Sequence, residues 1–367
     1  MHALEQRLGQ LNSYLARDPA NPLLLLERGW VQFQSGHLDE AEADAQQAMT
    51  QRADWANALV LLGAVAVHRG NAAQALENLE RALAIDPALP FLVRYLLQAY
   101  LMLGRYEDCV NCGNNAMQQG SFDAPCGPVY LRALHAAGRT AEALQWAEQT
   151  LQAVPEESAR YGVLATILLD AEQLPAAETQ ARSVLASAPE DVDANIVMGM
   201  LALKARQPAV AENHFEPALR QQPGNGRAWL GRGLTLMLQG HLAEAGDALE
   251  RAVASQPEHV GTRNTLAWCQ IAAGQPEAAR GTLEGSLELD RNFADTWGAL
   301  AISRIFTGEL ETARHNARQA LGLDRNSPSG LYATVILRGL AQDKAASRAL
   351  LEELKQKIQA SYGISVF

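Results

Sequence analysis

Lysine, cysteine and aromatic residues are all scarce in this chain of 367 residues. Aromatic residues make up 6% of the sequence while Ala and Leu dominate, and such a bias toward strong helix formers is not typical of strand-rich proteins. The four cysteines are too few to cross-link a scaffold of this length, so we expect them to be reduced thiols. The composition therefore predicts an all-helical protein with its own hydrophobic core.

Long apolar runs and basic clusters are missing as well. No 18 consecutive residues are apolar, and residues 1–22 lack the charged and apolar regions of a secretory signal. We therefore expect a cytoplasmic protein that does not insert into a membrane. The formal net charge of −11, without any run of Lys or Arg, would repel a phosphate backbone, so we expect no nucleic-acid partner. Basic residues are nearly all Arg, which suggests a GC-rich bacterial source.

What the sequence does contain is an internal repeat. Ala-rich segments recur every 34 residues from Pro22 to Ser327 without an insertion or deletion. The eighth residue of the repeat is mostly small, and so is the twenty-seventh, which permits close packing of helices. The twentieth residue is the most regular: Ala41, Ala75, Cys109, Ala143, Ala177, Ala211, Ala245, Ala279 and Ala313.

Glycine and proline mark the ends of the helices within this repeat. A left-handed glycine after each first helix is predicted at the fifteenth residue: Gly36, Gly70, Gly104, Gly138, Gly240, Gly274 and Gly308. A proline that ends each second helix is predicted at the thirty-second residue: Pro87, Pro155, Pro189, Pro223 and Pro257. Each repeat is therefore expected to be a pair of helices joined by a short turn.

This period, with small residues at these points and a closing Pro, resembles the tetratricopeptide repeat over nearly the whole chain. The resemblance implies an all-α, right-handed superhelical solenoid of stacked antiparallel helix hairpins. It implies a capping helix over residues 1–21, nine repeats over residues 22–327, and a tenth, capping repeat with a tail over residues 328–367. The segment 114–128 departs from the pattern, so we expect a kink or a widened groove there.

Ligands of this family usually lie along an inner wall formed by the first helices. The residues that neither face the partner helix nor the next repeat are largely apolar here, which suggests an apolar ligand. The alternative interpretation of any single aliphatic residue on this wall is that it packs between neighbouring first helices and does not contact a ligand. The predicted partner-binding residues are Trp30, Phe33, Phe91, Arg94, Tyr95, Gln98, Met102, Arg132, Met200, Lys204, Arg227, Met237, Trp268, Ile302 and Phe306.

The four cations among these residues, Arg94, Arg132, Lys204 and Arg227, are suited to receive a carboxylate. Pairing with neighbouring Asp or Glu is the alternative. One subset of the family grips terminal carboxylates through Lys and Asn at set inner positions. Those positions hold apolar residues here, beginning with Leu26, so this mode of binding is disfavoured.

Catalytic chemistry finds little support in the sequence. Cys109 and Cys112 form a CVNC motif inside a predicted helix, and Cys109 replaces the Ala of the small-residue column, so packing explains it. The eight His show no metal-binding spacing, and the glycines of residues 224–233 lack the Lys-Ser/Thr ending of a phosphate loop. We therefore expect no enzyme activity, no metal and no cofactor.

The sequence thus predicts a scaffold, either an adaptor or a chaperone-like protein, that holds an apolar segment of another protein in its groove. Bacterial secretion and envelope assembly employ such modules. The alternative is a regulatory or substrate-recruiting subunit of a separately encoded enzyme. The C-terminal segment SYGISVF ends in apolar residues beside a free carboxylate, and predicts self-association through the tail.

Overall fold

The computed structural model describes residues 2–52, 54–153 and 161–341, and in these ranges the chain is all-helical, without a strand. Its twenty helices in those ranges are α1 His2–Leu15, α2 Pro22–Gln34, α3 Leu38–Gln51, α4 Ala56–His68, α5 Ala72–Ile85, α6 Leu92–Met102, α7 Tyr106–Gln119, α8 Cys126–Ala136, α9 Thr140–Ala153, α10 Gly162–Asp170, α11 Leu174–Ser187, α12 Val192–Lys204, α13 Pro208–Gln221, α14 Gly226–Gln239, α15 Leu242–Ser255, α16 Val260–Ala272, α17 Pro276–Leu289, α18 Ala294–Phe306, α19 Leu310–Leu323 and α20 Pro328–Leu340. The predicted fold class is confirmed.

The helices follow the 34-residue period. The second helix of each hairpin, from α3 to α19, begins 34 residues after the one before it, starting at Leu38 and reaching Leu310. Most first helices keep the same spacing, but α6 and α8 each begin two residues later than the period predicts, and α10 begins four residues later. The predicted second helix of the tenth repeat and the tail lie outside the described residues.

The turns inside the nine hairpins of residues 22–327 all use the left-handed backbone. Every glycine predicted at the fifteenth position of the repeat has a positive φ, between 68° and 83°. In the two repeats without this glycine, Glu172 (φ 59°) and Arg206 (φ 55°) adopt the same conformation at the same position. The geometry of the turn is thus set by the hairpin, and the glycine makes it easier to adopt.

Small residues let the two helices of a hairpin approach closely. All nine residues of the column from Ala41 to Ala313 are fully buried. A methyl group on Gly63 would lie 2.5 Å from Cγ of Leu79 on the following helix, so a larger residue there would displace Leu79. The ring of Phe215, on α13, lies against both Gly199 on α12 and Gly231 on α14, which ties one second helix to two first helices.

The chain divides into two compact units, residues 1–167 and 168–367, with the boundary inside α10. In the first unit α1 packs on α2, and the first helices α2, α4, α6 and α8 contact one another in order. In the second unit α12 contacts α14, and α16, α18 and α20 contact one another in order. The first helices of each unit therefore form a wall of their own, here called the first-helix face.

The segment 114–128 is irregular in the structure. Gly120 (φ 71°) ends α7 in the left-handed conformation, and five residues precede the start of α8 at Cys126. Nearby, a cavity of about 440 Å³ opens between α5, α6 and α7, lined by residues that include Leu83, Tyr100 and Cys112.

Candidate functional site

Five rings from three successive first helices meet on the first-helix face of residues 1–167. Trp30 and Phe33 lie on α2, His68 ends α4, Phe91 immediately precedes α6, and Tyr95 lies in its first turn. These five residues are here called the aromatic cluster. Because α2, α4 and α6 stack side by side, side chains far apart in sequence come together on one surface.

The aromatic cluster is continuous. The Trp30 ring centroid lies 5.6 Å from that of Phe33 in a T-shaped arrangement and 5.5 Å from that of Phe91. The Trp30 and Tyr95 rings are close to parallel, 26° apart, with centroids separated by 6.5 Å. His68 closes the cluster, since its ring lies edge-on to Phe33 at 4.6 Å. Such pairs hold the rings at fixed angles, so the surface is preformed.

Phe91 is the exposed part of the cluster and has an unusual backbone. Its side chain is 47% exposed, and its φ of 65° places it in the left-handed region at the residue that caps α6. Bulky residues rarely adopt this conformation, which costs roughly 1–2 kcal/mol. Residues before Phe91, including Pro90, form a turn, which explains why α6 begins late. The result is an exposed ring held against Trp30.

Polar groups line α6 beside the rings without partners of their own. The Arg94 guanidinium lies over the Tyr95 ring, 5.7 Å from its centroid. Nε of Arg94 and Oε1 of Gln98 are buried and make no hydrogen bond, and the same is true of Oε1 of Gln32 on α2. Met102, two turns beyond Arg94, is 46% exposed. The face of α6 therefore combines apolar area with unused hydrogen-bonding capacity.

Burial raises the pKa of Tyr95, and the charge of Arg94 offsets part of this rise. The phenol is therefore neutral at physiological pH. Tyr95 is only 4% exposed, so it supports the cluster from beneath, whereas Trp30 and Phe33 are half-buried.

Arg132, the remaining candidate of this unit, is exposed on α8.

The candidate residues within 168–341 are more dispersed. Met200 is half-buried in α12, and Lys204 is exposed at the end of the same helix. Arg227 on α14 donates two hydrogen bonds to the carboxylate of Asp170, at 2.9 and 2.6 Å. The Arg227 cation is thus already paired within the chain.

The other four candidates of this unit differ widely in exposure. Ile302 is 1% exposed and packs in the core between α18 and α20, where a partner would not reach it. Phe306 at the end of α18 is 64% exposed. Met237 and Trp268 are half-buried against core residues. Within residues 168–341 no two aromatic rings stack, in contrast to the cluster of the first unit.

The cysteines lie in packed surroundings. Burial raises the pKa of Cys109 to about 12 and that of Cys112 to about 11, so neither is a thiolate at neutral pH. Cys109 is fully buried in the small-residue column. In the part of the chain that the structure describes, no three His, Cys, Asp or Glu side chains group as metal ligands, and no helix has the length and apolar character to span a membrane.

One residue of the site, His68, was not among those predicted from the sequence. It belongs to the cluster through its ring, which lies against that of Phe33. His68 is the last residue of α4, and in the sequence it has no metal-binding spacing to another His. The sequence offers one signal that His68 lies near Phe33: the two residues occupy adjacent positions of successive repeats.

Parts of the sequence match models of a known protein family. Models described as Tetratricopeptide repeat match residues 26–90, 132–149, 196–260 and 236–303, together just over half of the chain. No curated protein sequence matches significantly.

Two solved structures of similar fold cover most of the chain. The crystal structure of the APC/C hetero-tetramer Cut9-Hcn1 is 14% identical with a TM-score of 0.59, over 97% of this chain and 91% of that one. A monomeric mutant of IFIT1 with Gppp-AAAA is 16% identical with a TM-score of 0.59, over 92% of this chain and 86% of that one. Identities this low show a shared fold alone. With the hairpins, their period and their turns as described, the chain belongs to the tetratricopeptide-repeat family.

Proposed function

We propose that this chain is a non-catalytic scaffold, an adaptor or a chaperone-like protein, that binds an apolar segment of a partner protein on the first-helix face. The aromatic cluster of residues 1–167 is the anchor point. A cytoplasmic location and a role in bacterial secretion or envelope assembly are parts of this proposal. The family's fold supports protein interaction in general, and the cluster supports the more specific claim.

The observation that carries the proposal is the exposed and preformed apolar surface around Trp30. Phe91 and Met102 are each close to half exposed, and they flank rings that are fixed by their neighbours. Aromatic side chains fixed in this way concentrate binding energy, because they bury a large area and lose little rotamer entropy on binding. The strained backbone of Phe91 fits this reading, since such strain is found where it serves a function.

A peptide selection tests the proposal. Random dodecapeptides displayed on phage are selected against the chain of 367 residues. The affinity of the enriched peptides is measured by fluorescence anisotropy. We expect enrichment of apolar residues, and Trp30→Ala or Phe91→Ala should weaken binding about tenfold or more. Phe293→Ala is the matched control, because Phe293 is 39% exposed and also precedes a first helix, α18, but lies outside the cluster.

Two results would contradict the proposal: no enriched peptide, or peptides that bind equally well to the Trp30 and Phe293 variants.

Self-association through residues 361–367 stays a separate prediction. Deleting residues 363–367 should lower the apparent mass in light scattering without changing helicity, and an unchanged mass would argue against it.

A further inference from the structure

Arg94 differs in its surroundings from Arg28 and Arg227, two other basic residues of the first helices. Arg28 on α2 donates two hydrogen bonds to Asp44, and Arg227 on α14 donates two to Asp170. In the described ranges Arg94 makes neither an ion pair nor a hydrogen bond, and its guanidinium lies over the Tyr95 ring. The aromatic cluster thus has beside it one half-buried positive charge without an ion pair among the described residues.

The polar atoms beside the cluster extend this observation. Gln98 lies one helical turn beyond Arg94 on the same face of α6, and its Oε1 is buried without a partner. Leaving a buried polar group unpaired costs free energy, and that cost is recovered when the side chain turns toward a ligand that completes the hydrogen bond. Two such atoms, on Arg94 and Gln98, lie on α6, the helix that holds Tyr95. Their position indicates a ligand with polar groups next to its apolar part.

The sign of the charge selects the kind of polar group. A cation over these rings would be attracted by the ring faces but repelled by Arg94, which already occupies one face of Tyr95. A carboxylate meets no such opposition, because Arg offers a planar fork of donors that matches its two oxygens. An acidic group beside an apolar anchor is therefore the ligand that fits both parts of the site.

We propose that the partner segment carries an Asp or Glu side chain next to its apolar anchor residue, and that Arg94 receives this carboxylate. The apolar residue lies on Trp30 and Phe91, and the side-chain amide of Gln98 binds the backbone of the segment. This inference rests on the proposed function, since it specifies the ligand of the same site.

The selected phage peptides test this inference when they are compared between wild-type protein and Arg94→Gln. We expect wild-type peptides to carry Asp or Glu within two positions of an aromatic or large aliphatic residue. Arg94→Gln should weaken these peptides about tenfold or more, which is the effect of losing a charged hydrogen bond. Arg81→Gln is the matched control, because it removes the same charge from α5, where Arg81 pairs with Asp54.

The outcomes separate the two proposals. Apolar peptides without acidic residues, or acidic peptides that bind Arg94→Gln as well as wild type, would overturn the carboxylate site and leave the apolar anchor standing. Peptides whose binding is insensitive to Trp30→Ala would overturn both proposals.

If circular dichroism shows that Arg94→Gln fails to fold, two measurements replace it. Binding of the acidic peptides to wild type should weaken as NaCl is raised, and Arg94→Lys should give an intermediate affinity. Salt-independent binding would count against the site.

Discussion

The Trp30 ring lies 5.5 Å from the Phe91 ring, centroid to centroid, although the two residues belong to the first and third helix hairpins. This contact spans the intervening α4 and depends on the left-handed backbone of Phe91, whose φ is 65°. The position of the Phe91 ring in the apolar surface thus depends on a left-handed backbone conformation, which is unfavourable for a residue with a bulky side chain.

Phe91→Gly should therefore change stability little while it removes the exposed ring. Losing the ring contact costs about 0.5–1.5 kcal/mol, and relief of the left-handed strain returns a similar amount. We expect the free energy of unfolding in urea to stay within about 1 kcal/mol of wild type. Phe293→Gly is the control, because its φ of −75° is unstrained, so the variant should lose stability. A loss above about 3 kcal/mol in Phe91→Gly would mean that the ring is a core residue.

The close approach of α18 and α20 predicts a severe effect of one methyl group. A Cβ on Gly298 would lie 2.5 Å from the backbone carbonyl carbon of Ser329, and a backbone cannot move aside as a side chain can. Gly298→Ala should destabilise the protein by about 2–3 kcal/mol in urea unfolding. Gly246→Ala in α15 meets no atom within 4 Å, so it should stabilise by about 0.5–1 kcal/mol. Equal effects in both variants would contradict the packing.

Arg206 offers a stabilising substitution. It occupies the turn position that is glycine in most hairpins, with a φ of 55°. Arg206→Gly should raise the free energy of unfolding by about 0.5–1 kcal/mol, because glycine adopts this backbone without a steric penalty. The reverse change, Gly274→Ala, should lower it by a similar amount, since a Cβ there touches nothing and only the φ of 74° is unfavourable. Unchanged stability in both variants would show that the turn tolerates any residue.

The Arg28 and Asp44 pair should be worth more than the exposed ion pairs. Asp44 is 3% exposed and accepts hydrogen bonds of 2.7 and 2.6 Å from Arg28. Asp44→Ala leaves a half-buried charge uncompensated and should cost about 2–3 kcal/mol in chemical unfolding. Asp39→Ala removes a carboxylate that also pairs with an Arg but is 93% exposed, and its effect should be much smaller. Equal losses would show that burial of Asp44 adds nothing.

His214 should make stability depend on pH. Its burial, and secondarily the charge of Arg182, lower its pKa, while its Nδ1 lies 3.0 Å from Oδ1 of Asn195. The folded protein therefore prefers the neutral ring. The His214 contribution is present above about pH 6.5, the value of an unfolded His, and is lost as pH falls toward the lower pKa of the folded state.

The test compares urea unfolding of wild type and His214→Gln at pH 7.5 and 5.5. Wild type should lose more stability on acidification than the variant, in which Gln keeps a donor for Asn195. Identical losses would show that His214 does not contribute to the pH dependence.

The sequence predicted the hairpins well for a physical reason. A column such as Ala41 to Ala313 must be small wherever two helices touch, so the contact leaves its mark on every copy. The start of α6 was missed because the turn before it depends on one strained residue, Phe91, and not on the repeat. Loop residues of this kind carry no periodic signal.

The candidate site was harder to predict because it depends on which charged side chains form ion pairs with each other. Arg94 and Arg227 were equivalent candidates in the sequence, yet Arg227 is paired with Asp170, a residue 57 positions away, and Arg94 is not. This ion pair joins α10 and α14, first helices that are two hairpins apart. The apolar residues divide in a similar way, since Phe306 is exposed while Ile302, one turn earlier on α18, is buried.

Phe215 shows how one large residue can couple neighbouring hairpins. Its ring occupies the space that side chains at both Gly199 and Gly231 would otherwise need. The three positions therefore share a single volume, and a smaller residue in place of Phe215 would open room at two sites at once. In natural variants these positions should change together, and a hairpin transplanted into another array should carry both glycines with it.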